Sequence, residues 1–196
     1  LMTFDKAFPM SIRDKAGRIC TITPGTYENA AAYVHASMFA IMALFSLGES
    51  RRAWEEMEKS GVISHENCTK TAFAMPNSYC RAPEYDIDGD SMGDWYTGSG
   101  TVLIKECVKF GFGICPDLDS LVIQTPAEMP CSEAEISVTV KGHPICVRYK
   151  NSGSAKRSFR IDSKEAGGEF CELMNTEKLR IPAEDIHDGM VIEVID

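Results

Sequence analysis

No two of the eight cysteines in this 196-residue chain stand as a C-x-x-C pair; Cys20, Cys68, Cys80, Cys107, Cys115, Cys131, Cys146 and Cys171 are scattered. Zinc knuckles need close pairs, so the spacing argues against a structural metal. A chain of this length does not need disulfide staples, and no signal-peptide stretch stands ahead of residue 1. Reduced thiols in a cytoplasmic protein are the expectation, under which the Asn67-Cys68-Thr69 sequon means little. Basic residues are also in deficit: 20 Lys and Arg face 29 Asp and Glu, for a net charge of −9, against the basic face of a nucleic-acid binder. G-x-S-x-G, P-loop, G-x-G-x-x-G and H-E-x-x-H are all missing. Cys107 and Cys146 have no His base beside them in sequence, so thiol catalysis is not expected. Counted from Asp86, the acidic stretch "EYDIDGDSMGD" puts Ser91 and Thr97 where a calcium loop needs Gly and Glu. Neither a resident metal nor an organic cofactor is therefore expected.

Hydrophobic content of 44% and charged content of 25% are those of a folded globular protein. "AAAYVHASMFAIMALFSLG" is apolar enough to suggest a membrane span. It holds His35, Ser37 and Ser46 and lacks basic flanks, which favours a helix buried in a large helical domain. The helical pattern starts after Pro24-Gly25 and ends at Gly48. A second helix follows over "ESRRAWEEMEKSG", with Ala53, Trp54 and Met57 on one face. A link of about three residues makes the two an antiparallel hairpin. Residues 62–96 read as a long irregular segment, and a third helix spans Thr97 to Phe112. Beyond Pro116 the period changes. "LDSLVIQT", "EISVTVKG", "PICVRYKN", "KRSFRID", "EKLRIP" and "MVIEVI" alternate between turn residues, the pattern of an antiparallel β-sandwich. The expected class is α+β, with helices over 1–116 and a β-sandwich over 117–196. Two or three helices cannot bury Ala30–Leu47 by themselves, which favours a piece of a larger domain.

Two constellations carry chemistry. Glu28 and His35 are seven residues apart, two turns of the expected helix, so both should lie on one face. A core histidine and a carboxylate favoured by the helix dipole are the plainer readings. "GDWYTGSG", residues 93–100, places Thr97 and two glycines at the mouth of a helix. Thr97 can serve as a cap, or the bare backbone can cradle an oxyanion.

Taken together, "PGTYENAAAYVHASMFAIMALFSLGESRRAWEEME", "GDWYTGSG" and "FGFGICPDLDSLVIQTPAEMP" resemble glycoside hydrolase family 94, the inverting glycoside phosphorylases. The family pattern runs E-N-G-x-x-x-x-H, then W-Y/L-T-G-S/T, then L-G-I-x-P-x-x-D-G-L. The likeness extends from about Leu1 to Asn151. It implies the last helices of an (α/α)6 catalytic barrel followed by a β-sandwich. By the resemblance His35, Thr97 and Gly98 bind inorganic phosphate, the co-substrate, together with arginines of the missing barrel. Glu28, with Tyr27 and Tyr79 beside it, faces the sugar acceptor. The implied partners are a β-linked gluco-oligosaccharide, phosphate and the rest of the chain's own barrel. Family members are often dimers, which leaves a homodimer open.

The family's general acid is an Asp upstream of the matched region, so no catalytic residue is assigned here and the piece is expected to be inactive alone. Tyr27 stands where disaccharide-specific members carry Lys, Ala30-Ala31 where Gly-Gly is common, and "PNSY" replaces E-P-Y. A remodelled acceptor side suited to a longer oligosaccharide, such as a β-1,2-glucan, is the corresponding expectation. The rivals are a non-catalytic carbohydrate-binding or structural fragment, and a hydrolase that uses water with Glu28 as its second carboxylate.

Overall fold

The computed structural model describes residues 4–61, 71, 74–94, 97–153 and 156–196; Trp95, Tyr96 and the sequon at Asn67 lie outside them. Among the described residues, four helices and several mainly antiparallel sheets give a mixed α and β protein. Its contacts divide into two units, Leu1–Ala43 with Trp54–Ile104, and Leu44–Ala53 with Lys105–Asp196.

In the first unit a short α1 (Arg13–Ala16) lies between 3₁₀ turns at Met10–Ile12 and Gly17–Thr21. β1 (Ala32–Tyr33) then leads into α2 (Val34–Ser46), eight residues later than the Pro24-Gly25 start expected from the sequence. The difference has a local cause. Tyr27 and Ala30 have φ of 42° and 68°, in the left-handed region where no right-handed helix can pass. Strand β2 (Ser78–Tyr79) pairs with β1 on one side and with β3 (Ser91–Met92) on the other, all antiparallel. α2 is apolar almost all round, yet it buries one stripe: Val34, Met38, Ile41 and Phe45 are under 4% exposed. Phe39 on another face is 56% exposed, and Leu47 just past the helix is 61% exposed. No described helix is long and apolar enough to cross a membrane.

α2 ends at Gly48, whose φ of 77° permits a Schellman closure: Glu49 N–H donates to Leu44 O and Gly48 N–H to Phe45 O. α3 (Ser50–Ser60) follows, with Ala53 and Met57 on its buried side. α4 (Ser99–Glu106) passes into a π-helical turn at Cys107–Gly111.

In the second unit β4 (Ile114–Pro116) and β5 (Ser120–Ile123) open the β region, followed by the long hairpin β6 (Glu133–Val140) and β7 (His143–Lys150). Next come β8 (Ser158–Ile161), β9 (Lys164–Ala166), β10 (Glu169–Cys171), β11 (Thr176–Pro182) and β12 (Met190–Ile195). The sheets run β10-β11-β5-β4 and β6-β7-β12-β8-β9. Leu121, Ile123, Leu179 and Ile181 of the first join Ile145, Val147, Phe159, Ile192 and Val194 of the second in one apolar cluster. β12 pairs with β7 in parallel, where uniformly antiparallel strands were expected; the other pairs are antiparallel. Gly113, at φ 69°, enters the first sheet where a Cβ would collide with the Gln124 backbone.

Candidate functional site

Asn29 organises the turn that replaces the first expected helical turns. Its side chain is fully buried; Oδ1 accepts the Phe8 N–H at 2.7 Å, and Nδ2 donates to Ile22 O at 2.9 Å and Phe8 O at 3.2 Å. Asn29 N–H donates to Thr26 O at 2.9 Å, and Gly25 N–H to Asn29 O at 2.8 Å. Satisfying these buried polar groups through tertiary partners outweighs the helix propensity of the alanines that follow. Glu28 and His35 are therefore not two turns apart on one helix face: Glu28 lies on the turn and His35 in the first turn of α2.

Glu28 Oε1 accepts from Arg18 Nη2 at 2.9 Å. The pair borders a groove of about 530 Å³ lined also by Thr21, Thr23, Thr26 and Tyr27. Thr21 and Thr26 donate their hydroxyls to the Arg18 and Thr23 carbonyls. The groove thus offers a carboxylate, a guanidinium, hydroxyls that can still accept, and a 41% exposed tyrosine ring, a set suited to a polyhydroxylated ligand. Tyr79 is 6% exposed within the three-stranded sheet, paired in register with Ala32 and Ser91.

The glycine-flanked stretch that leads into α4 is held at both described ends. At the near end Gly93, φ 66°, sits where a Cβ would meet Asn77 Cβ at 3.0 Å and Tyr27 Cε1 at 3.6 Å. Asp94 Oδ2 braces it by accepting the Thr71 N–H at 3.0 Å and the Ser91 hydroxyl at 3.1 Å. At the far end a Cβ on Gly98 would stand 3.4 Å from His35 Cε1 and 3.6 Å from Nε2. His35, stacked on Phe39 at 5.4 Å between ring centroids, is thereby set beside the mouth of α4.

Thr97 Oγ1 accepts the Ser99 N–H at 3.1 Å and lies 2.7 Å from Ser99 Oγ. Val102 N–H donates to Gly98 O at 3.0 Å, making Gly98 the residue at which the helix begins. The N–H groups of the first turn have no intrahelical acceptor and carry the positive end of the dipole. A Cβ at Gly100 would meet nothing within 4 Å among the described residues. His35, Thr97 and Gly98 come together at one helix terminus; Tyr27 and Glu28 share the groove.

Arg18, Asn29 and Asp94 were missed in the sequence. Arg18 had no spacing relation to Glu28 that pattern alone could use, and Asn29 looked like an ordinary residue in an alanine-rich helix. Glu106 was missed as well. It ends α4 fully buried, both carboxyl oxygens lack a hydrogen-bond partner among the described residues, and burial pushes its pKa up to about 8.

Residues 5–113 match the family described as the glycosyl hydrolase 94 superfamily, catalytic domain. The chain is also similar to the N,N'-diacetylchitobiose phosphorylase of Vibrio furnissii, at 21% identity over 167 residues, which cover 84% of this chain and 21% of that protein. The chain spans about a fifth of the length of that curated relative.

Proposed function

Because the chain belongs to the glycosyl hydrolase 94 superfamily, we propose that it is the C-terminal part of an inverting glycoside phosphorylase. The parent cleaves a β-linked gluco-oligosaccharide with inorganic phosphate and releases α-glucose 1-phosphate. The residues described here complete an (α/α)6 barrel whose earlier helices carry the general-acid Asp and further arginines, so this piece does not turn over alone.

The observation that carries the proposal is the packing of His35 against Gly98 at the open start of α4. An imidazole meets the N–H groups of a first helical turn there, of which that of Ser99 already donates to Thr97 Oγ1, and such a helix start suits an anion. Thr97, with its hydroxyl already shared with Ser99, shapes the turn and presents the backbone. Phosphate held this way attacks the anomeric carbon as the glycosidic C–O bond breaks, and the leaving oxygen takes the proton of the upstream acid. Phosphate is already an anionic nucleophile, so no general base is needed, and direct displacement turns a β linkage into an α phosphate. Glu28, held by Arg18, accepts hydroxyl hydrogen bonds on the acceptor side, and Tyr27 supplies a ring edge. Tyr79 contributes through the small sheet that holds this turn.

One observation favours a plainer role: Thr97 Oγ1 accepts the Ser99 N–H, as a simple structural turn would. Phosphorus NMR on the parent polypeptide separates the two. The parent is incubated with phosphate and β-1,2-, β-1,3- or β-1,4-gluco-oligosaccharides, and with N,N'-diacetylchitobiose, the sugar in the relative's name. A new sugar-phosphate resonance that a Thr97→Ala parent forms far more slowly is the expected result. Phosphate-independent release of free sugar would leave Thr97 a local turn residue.

A further inference from the structure

The second unit holds a separate cavity of about 510 Å³, within the size range of ligand sites. Arg157 lines it, with its guanidinium fully engaged. Nε donates to Asp196, Nη1 to Thr125 O and Thr176 Oγ1, and Nη2 to Pro126 O and Asp196 Oδ2. All five guanidinium N–H groups are consumed, so Arg157 itself has no donor left for an incoming anion. Glu128, at the rim, is held by both Arg51 Nε at 2.8 Å and Nη2 at 3.2 Å. Arg157 and Glu128 are thus each held by an opposite charge, and Lys156 adds an ammonium to the same lining.

The wall is different. Phe170 on β10 and Glu177 on β11 are directly opposed in the antiparallel pair, so both side chains project from the same face of that hairpin. Phe170 is 59% exposed and offers its ring to the cavity. Glu177 has no ion-pair partner among the described residues. Asn175, at the hairpin turn with φ 49°, adds an amide to the same cavity. An apolar ring face beside a carboxylate acceptor and an amide is matched by a pyranose: C–H groups cover the ring, and equatorial hydroxyls reach the polar atoms.

We propose that this cavity is a saccharide-binding site, separate from the Glu28 groove, that takes a neutral oligosaccharide on Phe170 with Glu177 and Asn175 as hydrogen-bonding partners. The site does not depend on phosphorolysis. It would hold a polymeric sugar by a second point, which raises the effective concentration of that sugar near any other site on the same chain.

The test is a heteronuclear NMR titration of the full 196-residue chain with cellotetraose and, separately, chitotetraose, each in the presence and absence of inorganic phosphate. Saturable shifts at Phe170, Asn175 and Glu177 with either sugar, unchanged by phosphate, are expected. Phe170→Ala should weaken binding about tenfold, and Glu177→Gln by a smaller factor. No saturable shift with either sugar, shifts confined to Tyr27 and Glu28, or unaltered affinity in Phe170→Ala would each overturn the proposal. Failure here with phosphate-dependent cleavage intact in the parent would leave the phosphorylase reading standing.

Discussion

The His35 ring and the Gly98 backbone lie so close that a methyl group at position 98 would stand 3.4 Å from His35 Cε1. An alanine there makes ordinary van der Waals contact with the ring, and the larger valine forces the ring away from the helix mouth. On the proposal that phosphate binds at this helix start, Gly98→Val should lower phosphate affinity of the parent polypeptide at least about tenfold. Isothermal titration with phosphate reads the effect, and an unchanged circular dichroism spectrum shows that the fold survives. Undiminished affinity would remove Gly98 and His35 from the anion site.

Arg18 and Glu28 form a partly exposed pair, with side chains 74% and 34% exposed. Such pairs contribute little stability, roughly 0–1 kcal/mol. Arg18→Ala should therefore leave the thermal midpoint almost unchanged while raising KM for the oligosaccharide in the parent, because Glu28 loses its anchor. Steady-state kinetics at saturating phosphate separate this from a phosphate effect. A change in phosphate KM alone would contradict the assignment of Glu28 to the sugar side.

Ala30 carries a left-handed φ of 68°, where a Cβ costs about 1–2 kcal/mol. Glycine relieves that strain, and the larger backbone entropy it loses on folding offsets only part of the gain. Ala30→Gly should stabilise the chain by about 1 kcal/mol, seen as a higher urea midpoint with unchanged m-value. A lower midpoint would mean that the alanine methyl, 4% exposed, packs better than it strains.

Glu106 keeps its proton in the folded state until about pH 8, against an ordinary value of 4.5. In the window between them the unfolded state ionises while the folded state stays neutral. Stability should fall as pH rises from 4.5 to 8, by up to about 1.4 kcal/mol per pH unit, and level off beyond. Urea unfolding of the wild type and Glu106→Gln across that range checks the sign. The glutamine variant should lose most of the slope; equal slopes in both would assign it to other groups.

The sequence revealed the strands where alternation was long. β6, β7 and β12 run for six to eight residues, and each coincides with or overlaps a segment read as a strand, β6 and β7 starting one or two residues earlier than the reading. β4, β9 and β10 have three residues each, too short for a period to show. The parallel pairing of β7 with β12 was not legible, because alternation is the same whichever way a neighbour runs. Around the site, "YENAAAY" has good helical composition up to Tyr33. What overrides it is Asn29 bonding Phe8 and Ile22, contacts that no local window contains. Gly98 was readable as a helix start from its glycine-rich context, but the apposition of His35 is a long-range contact 63 residues away in the chain. Glu106 sits in "LIKECV", which reads as one polar face of an ordinary helix; its burial depends on everything packed around it.

β12 lies between β7 and β8 in the five-stranded sheet. While the polypeptide is being made, β6 and β7 can close as a hairpin as soon as residue 150 leaves the ribosome, and β8 and β9 soon after. The two hairpins cannot join until residues 190–195 emerge to fill the gap. Until then β7 and β8 each present an unpaired edge, the kind of surface that invites wrong partners. The last strand synthesised in this sheet is thus also its keystone, and slow translation or truncation just before Met190 would expose the nascent chain to aggregation more than an interruption anywhere in the helical region.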